Sequence, residues 1–245
     1  MKRSVNEWLR EIRHSLEAMS TPERKASTLR FFKQPVQVIG VSNPMTQGVG
    51  RKVIQEIKGE SKEWSFQLAE RLFETGYLEE ALLACQIVFS RKRNFEETDF
   101  KIFETWINQY IHNWAVCDTF CNQSVGHLLM AFPKCVPLIL PWSLHDNLWM
   151  RRACAVSFIY PAKRELFIEE QMNIALILLE DKEDMVQKGY GWMLKVLSQK
   201  QLTLVFNFIE KYKVRIPRTA LRYAIEKMPK NLKEQAMRKS FPLSL

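Results

Sequence analysis

Glycine and proline are scarce in this chain, eight and ten in 245 residues, and no run of alternating apolar and polar residues lies between them. A sheet-rich fold built on many tight turns is excluded on that ground. Paired cysteines are missing as well: Cys85, Cys117, Cys121, Cys135 and Cys154 have no CxxC spacing and fall mostly in apolar stretches. They read as reduced core residues of a cytosolic protein. His127 follows Cys117 and Cys121 without the second ligand pair that zinc requires, so no metal site is expected, and no cofactor motif is present. No run approaches the roughly 20 apolar residues of a membrane span, and the start Met1-Lys2-Arg3-Ser4-Val5-Asn6-Glu7 is charged and lacks an apolar signal core. The expectation is a soluble, cytoplasmic protein.

What is present is helical periodicity. Apolar residues recur at three- and four-residue spacing, as in Trp8, Ile12, Leu16 and Met19, or Phe66, Leu68, Leu72 and Phe73. Caps repeat too: Thr21-Pro22-Glu23-Arg24, Ser61-Lys62-Glu63-Trp64 and Glu97-Thr98-Asp99 open segments, while Gly59, Gly76, Pro133, Pro161 and Pro229 close them. The pattern predicts helices over 4–19, 22–32, 47–58, 61–75, 77–91, 97–112, 114–132, 135–142, 146–160, 164–180, 184–198 and 200–212, with a last pair in 216–240. From about residue 61 the pairs recur every 35–40 residues or so, which fits degenerate two-helix repeats. The expected fold is an all-α, superhelical solenoid of HEAT-like repeats in a single domain, 1–245, with capping helices and a loop in 1–60 and the repeats in 61–240. A compact α-bundle is the alternative. The stretch 38–52 is irregular; Gly48 and Gly50 lack the strand and the GxxxxGK(S/T) run of a phosphate loop. It reads as a plain connection into a helix start, or as a helix N-terminus that, with Arg51 and Lys52, holds one phosphate.

The formal charge is +9 and unevenly spread. Lys211, Lys213, Arg215, Arg218, Arg222, Lys227, Lys230, Lys233, Arg238 and Lys239 face only Glu226 and Glu234 in residues 211–240. Such a segment is either a solubilising face or a footprint for phosphates. Charge alone does not separate nucleic acid from an acidic membrane surface.

Trp114 and Asp118 stand four apart at the start of an apolar helical run, which places an aromatic plane and a carboxylate on one face. Asn147-Leu148-Trp149-Met150-Arg151-Arg152 and Gly189-Tyr190-Gly191-Trp192 add two more tryptophans and paired arginines. Taken singly, each residue has a plain structural use: tryptophan in a core, aspartate in an ion pair, arginine on a solvated face. Together they suit a catalytic role better than a structural one.

Three stretches carry a resemblance. Asn113-Trp114-Ala115-Val116-Cys117-Asp118, Asp146 to Ala153 and Gln187 to Lys195 are similar, in order and spacing, to the signature stretches of the AlkD family of HEAT-like-repeat DNA alkylpurine glycosylases. The segment Gly40 to Pro44 resembles that family's early loop. The resemblance implies hydrolysis of the N-glycosidic bond of cationic N3- or N7-alkylated purines in double-stranded DNA by a monomer that needs no cofactor, membrane or obligate protein partner. It implies that Asp118 is the catalytic carboxylate. Trp114 and Trp192 would pack against sugar and backbone at the lesion, Arg152 would grip a nearby phosphate, and Lys195 would contact DNA. It further implies that no flipping pocket is used, so that bulky cationic adducts are substrates too.

The chemistry of the residues is consistent with this. An alkylated purine leaves as a neutral base without protonation, so the barrier lies in the oxocarbenium-like sugar, and a carboxylate beside it stabilises that cation and orients a water. Aromatic faces favour a neighbouring cation, and the planar guanidinium suits phosphate. The sequence departs from the family pattern at Asn113, where a second aromatic is expected, at Ala115, where a polar residue can occur, and at Lys195, which keeps the charge of an arginine without its fork. Ser42 and Asn43 stand where a longer polar side chain would reach the opposite strand. Two other functions remain open: a DNA-binding solenoid without turnover, which would gain nothing from Asp118 facing phosphates, and a HEAT-type scaffold for an acidic protein, which would show an exposed apolar patch.

Overall fold

The computed structural model describes residues 3–238; Lys239 and the end of the last expected helix lie outside them. Among the described residues the chain is all-α, and its one β pairing is an isolated bridge between Gln37 and Tyr77. It packs as two compact units that meet in sequence at Phe120 and Cys121.

The first unit holds α1 (Val5–Glu17), α2 (Pro22–Leu29), α3 (Asn43–Glu56), α4 (Lys62–Glu74), α5 (Leu78–Ser90), α6 (Asp99–Tyr110) and α7 (Trp114–Phe120). Its helices start where small polar caps allow. Ser4 accepts the amide of Glu7 and donates its own amide to the Glu7 carboxylate, a reciprocal cap; Thr21 and Ser61 accept the amides of Arg24 and Trp64. Helices α3, α5 and α7 pack as one row, α1, α4 and α6 as another, with α4 and α5 a hairpin turning at Thr75-Gly76-Tyr77. Phe66, Phe73, Phe103, Trp106 and Phe120 meet between the rows, with ring centroids from 5.1 Å for Phe103–Phe120 to 6.1 Å for Trp106–Phe120. Phe120 is fully buried there, a burial that contributes about 2–3 kcal/mol and fixes the rotation of α7 about its own axis.

The second unit holds α8 (Gly126–Ala131), α9 (Val136–Ile139), α10 (Leu148–Val156), α11 (Ile159–Ala162), α12 (Ile168–Ile177), α13 (Asp184–Ser198), α14 (Leu202–Tyr212), α15 (Arg218–Ile225) and α16 (Lys230–Met237). Here α10, α13 and α15 form a row, α12 and α14 pack against α13, and α16 packs against α14 and α15. Stacked two-helix pairs, read from the spacing, are thus present within each unit.

Several boundaries differ from the expectation. Helix α3 begins at Asn43, not near residue 47, because Ser42 has extended backbone and Pro44 presets the first turn; Gly48 and Gly50 lie inside the helix. The helix expected over 114–132 is α7, a π-helical turn at Cys121–Val125, then α8. The segments 135–142 and 146–160 break into shorter pieces, with 3-10 turns at Pro133–Cys135 and Leu140–Leu144. The helix expected from 164 starts at Ile168, after Glu165 and Phe167 adopt left-handed backbone at φ 57° and 59°. All five cysteines are buried and none is in a disulfide; burial pushes the Cys85 and Cys154 thiols well up, so they are poor nucleophiles.

The rows depend on close crossings. A Cβ at Gly191 on α13 would lie 2.8 Å from the Ala220 carbonyl oxygen and from the Tyr223 Cβ on α15, whereas a Cβ at Gly48 would meet nothing nearer than the Arg51 side chain at 3.8 Å. Gly191→Val is therefore expected to destabilise the protein by about 3 kcal/mol, because neither the carbonyl nor the Tyr223 Cβ can yield. Gly48→Ala is expected to stabilise it by about 0.5–1 kcal/mol. Denaturant midpoints moving in opposite directions confirm the two environments; a shift of the same sign in both contradicts it.

Candidate functional site

Helix α7 is oriented by its cap and its last residue. The Asn113 Oδ1 accepts the Val116 amide at 3.0 Å and its carbonyl accepts the Cys117 amide at 3.1 Å, so the asparagine that replaces an expected aromatic is the buried start signal of this helix. With Val116, Cys117 and Phe120 buried, the opposite face presents Trp114, Ala115, Asp118 and Thr119, all partly exposed. Trp114 and Asp118 share that face one turn apart, as the spacing predicts. Trp8, Trp106, Trp142 and Trp149 are buried in the core, whereas Trp64, Trp114 and Trp192 are not. The Trp114 ring stacks on Phe32, centroids 5.4 Å apart and planes inclined by 24°. Phe32 follows α2 in a segment read as helix end, and nothing in its spacing marks it as a partner of Trp114.

The loop beside α3 is held by a residue that nothing in the sequence pattern marks. Glu79, 2% exposed in the first turn of α5, accepts the amides of Ile39, Gly40 and Val41 at 2.9, 2.8 and 3.0 Å. Its neighbour Glu80, fully buried, takes both prongs of Arg13 at 2.5 and 2.7 Å; that bond is the main cause raising the Arg13 pKa. Gly40 turns the chain at φ 105°, a conformation that glycine adopts without strain. The result is a fixed path into α3, whose first residues Asn43 and Pro44 are exposed, as are Arg51 and Lys52.

In the second unit, α10 and α13 carry the other expected residues. Asn147 caps α10 by accepting the Trp149 amide at 2.9 Å. The two arginines behave differently. Arg151 is a structural clamp, bonded to Asp181 at 2.6 Å and to the carbonyls of His145 and Asp146 at 2.8 and 2.9 Å. Arg152 is 4% exposed, lies against Gly189 and donates from Nη1 to the Met185 carbonyl. A Cβ at Gly189 would stand 3.2 Å from the Arg152 Cγ, so this glycine makes room for the arginine. Tyr190 is buried and donates to the Leu179 carbonyl at 2.9 Å; desolvation first, and the Asp181 charge second, raise its pKa, which makes it a structural donor.

Lys188, Trp192 and Lys195, at spacings of four and three, form the partly exposed face of α13. Lys188 pairs with Asp184 at 2.6 Å, and Lys195 with Glu226 at 2.9 Å. The hydrogen bond from Lys195 is the leading cause that lowers the Glu226 pKa. The basic segment is partly neutralised as well, Lys213 by Glu210 at 3.0 Å and Arg215 by Glu180 at 3.0 Å, while Arg218 and Arg222 are exposed along α15.

Comparison with known proteins bears on what these faces serve. No curated protein matches the chain. The solved structure of a predicted DNA alkylation repair enzyme from Enterococcus faecalis is similar to it with a TM-score of 0.78 at 18% identity, over 86% of this chain and 98% of that one, which establishes a shared all-α fold. The family model for DNA alkylation repair enzymes matches residues 12–228, a span that includes Trp114, Asp118, Arg152, Trp192 and Lys195. The chain belongs to the DNA alkylation repair enzyme family, the AlkD-like family that its three stretches resemble.

Proposed function

We propose that this DNA repair protein is a DNA glycosylase that hydrolyses the N-glycosidic bond of cationic N3- and N7-alkylpurines in duplex DNA. The observation that carries the reading is the α7 face, where Asp118 stands one turn from a tryptophan ring backed by Phe32. Asp118 stabilises the positive charge that develops on the deoxyribose and orients the attacking water. Trp114 offers its ring face to the sugar, an arrangement that favours the same developing charge. On the second unit, Trp192 and Lys195 engage the DNA backbone; for Arg152 to reach a phosphate, its guanidinium turns from the Met185 carbonyl. The protein acts as a cytoplasmic monomer on this reading.

Asp118 is assigned no proton to donate, so catalysis depends on a leaving group that already carries charge. The test compares duplexes bearing one 7-methylguanine or one hypoxanthine, a neutral base. Release of the first at a rate at least about 10²-fold above the second is expected, the range in which a general acid ordinarily contributes. Equal release of both would overturn the mechanism, because a neutral base requires protonation; release of neither would overturn the assignment.

A further inference from the structure

Glu226 is placed oddly for an acidic residue. It is the C-cap of α15, where the helix dipole disfavours a carboxylate, and it is one of two acidic residues in a segment otherwise rich in lysine and arginine. Its side chain is half exposed, yet it reaches across to α13 and takes the Lys195 Nζ at 2.9 Å. Lys195 is only 16% exposed in its side chain, and its ammonium lies 5.5 Å from the Tyr223 ring centroid. The cation is thus held between a ring and a carboxylate, on the face that Trp192 and Lys188 share. Lys227 lies farther from Glu226, at 4.0 Å, and is itself largely exposed.

We propose that Glu226 is an electrostatic latch that withholds Lys195 from DNA phosphates, an inference that rests on the DNA-binding role proposed for the α13 face. A phosphate approaching Lys195 has to displace the carboxylate, and the displaced charge then repels the backbone. Every DNA complex incurs this cost. Undamaged duplex, bound mainly through its phosphates, is held less firmly and released sooner, while discrimination between damaged and undamaged sites, a ratio of affinities, is preserved. An arginine at position 195 would bind the carboxylate through two parallel bonds and open less readily, so lysine suits a latch that must yield.

The experiment measures the affinity of a short undamaged duplex, at fixed low salt, for the wild type, Glu226→Gln, Lys195→Gln and the double variant, each first shown to melt as the wild type does. Glu226→Gln is expected to tighten binding about threefold, the scale of one half-exposed ion pair, and most of that gain is expected to vanish when Lys195 is glutamine. An equal gain in both backgrounds would mean that Glu226 acts only as distant negative charge, and would overturn the latch. No gain in either would overturn it too. A wild type that binds duplex while Lys195→Gln, alone or with Glu226→Gln, binds as well as its parent would remove Lys195 from the DNA face altogether. A wild type that binds no duplex would remove the face's proposed role, and the latch with it.

Discussion

Asp118→Asn is expected to bind alkylated duplex as the wild type does and to release base about 10²–10³ times more slowly, the loss typical when one preorganised electrostatic group is removed from a developing charge. Asparagine keeps the size of aspartate, removes its charge and puts an NH2 donor in place of one carboxylate oxygen. The site around it is set by other residues: Asn113 caps the helix, Phe120 anchors its far side and Phe32 backs Trp114. None of these depends on the Asp118 charge. Binding and turnover should therefore separate cleanly, with the affinity for lesion-bearing duplex unchanged or slightly tighter as a negative charge leaves the neighbourhood of phosphates. Single-turnover base release and direct binding, measured on the same duplex, check both halves. Equal release rates in variant and wild type would remove Asp118 from the chemistry.

The second large effect is on stability. Glu79→Ala is expected to cost on the order of 4 kcal/mol, because it strands the amides of Ile39, Gly40 and Val41 in a buried site where each has a carboxylate oxygen as acceptor. That is a large share of a typical domain's stability. Glu79→Gln keeps one oxygen acceptor but turns an NH2 group toward amide donors, so an intermediate loss is expected. Denaturant unfolding gives the magnitudes, and amide exchange locates the damage at residues 39–41. A loss below about 1 kcal/mol in the alanine variant, the range of ordinary surface substitutions, would show that the loop holds itself.

Helical class and the placement of Trp114 with Asp118 were legible in the sequence because both follow from a period of 3.6 residues. Asn113 shows the limit of resemblance: compared with relatives it is a departure, and in the structure it is the cap that starts α7. Glu79 and Glu80 were not legible, since two acids in the first turn of a helix read as ordinary dipole-compensating surface residues; their partners lie at 39–41 and at Arg13, separations that periodicity does not encode. Phe32 was missed for the same reason. The arginine pair could be assigned only by resemblance, and what distinguishes them, Asp181 for Arg151 and Gly189 for Arg152, comes from contacts roughly thirty to forty residues away in sequence. The expected helix over 114–132 runs without interruption to Ala131 and carries a π turn at 121–125, whereas the break at 163–167 arises from left-handed residues without glycine; neither feature has a composition signal.

Base excision is read from the mass of both products after the wild-type protein acts on a duplex carrying a single 7-methylguanine. Free 7-methylguanine and a strand lighter by that base, bearing an abasic site, are the expected products. A strand that has lost only its methyl group would show repair by direct dealkylation, and an unchanged strand still bound by the protein would show recognition without hydrolysis; either would contradict base excision.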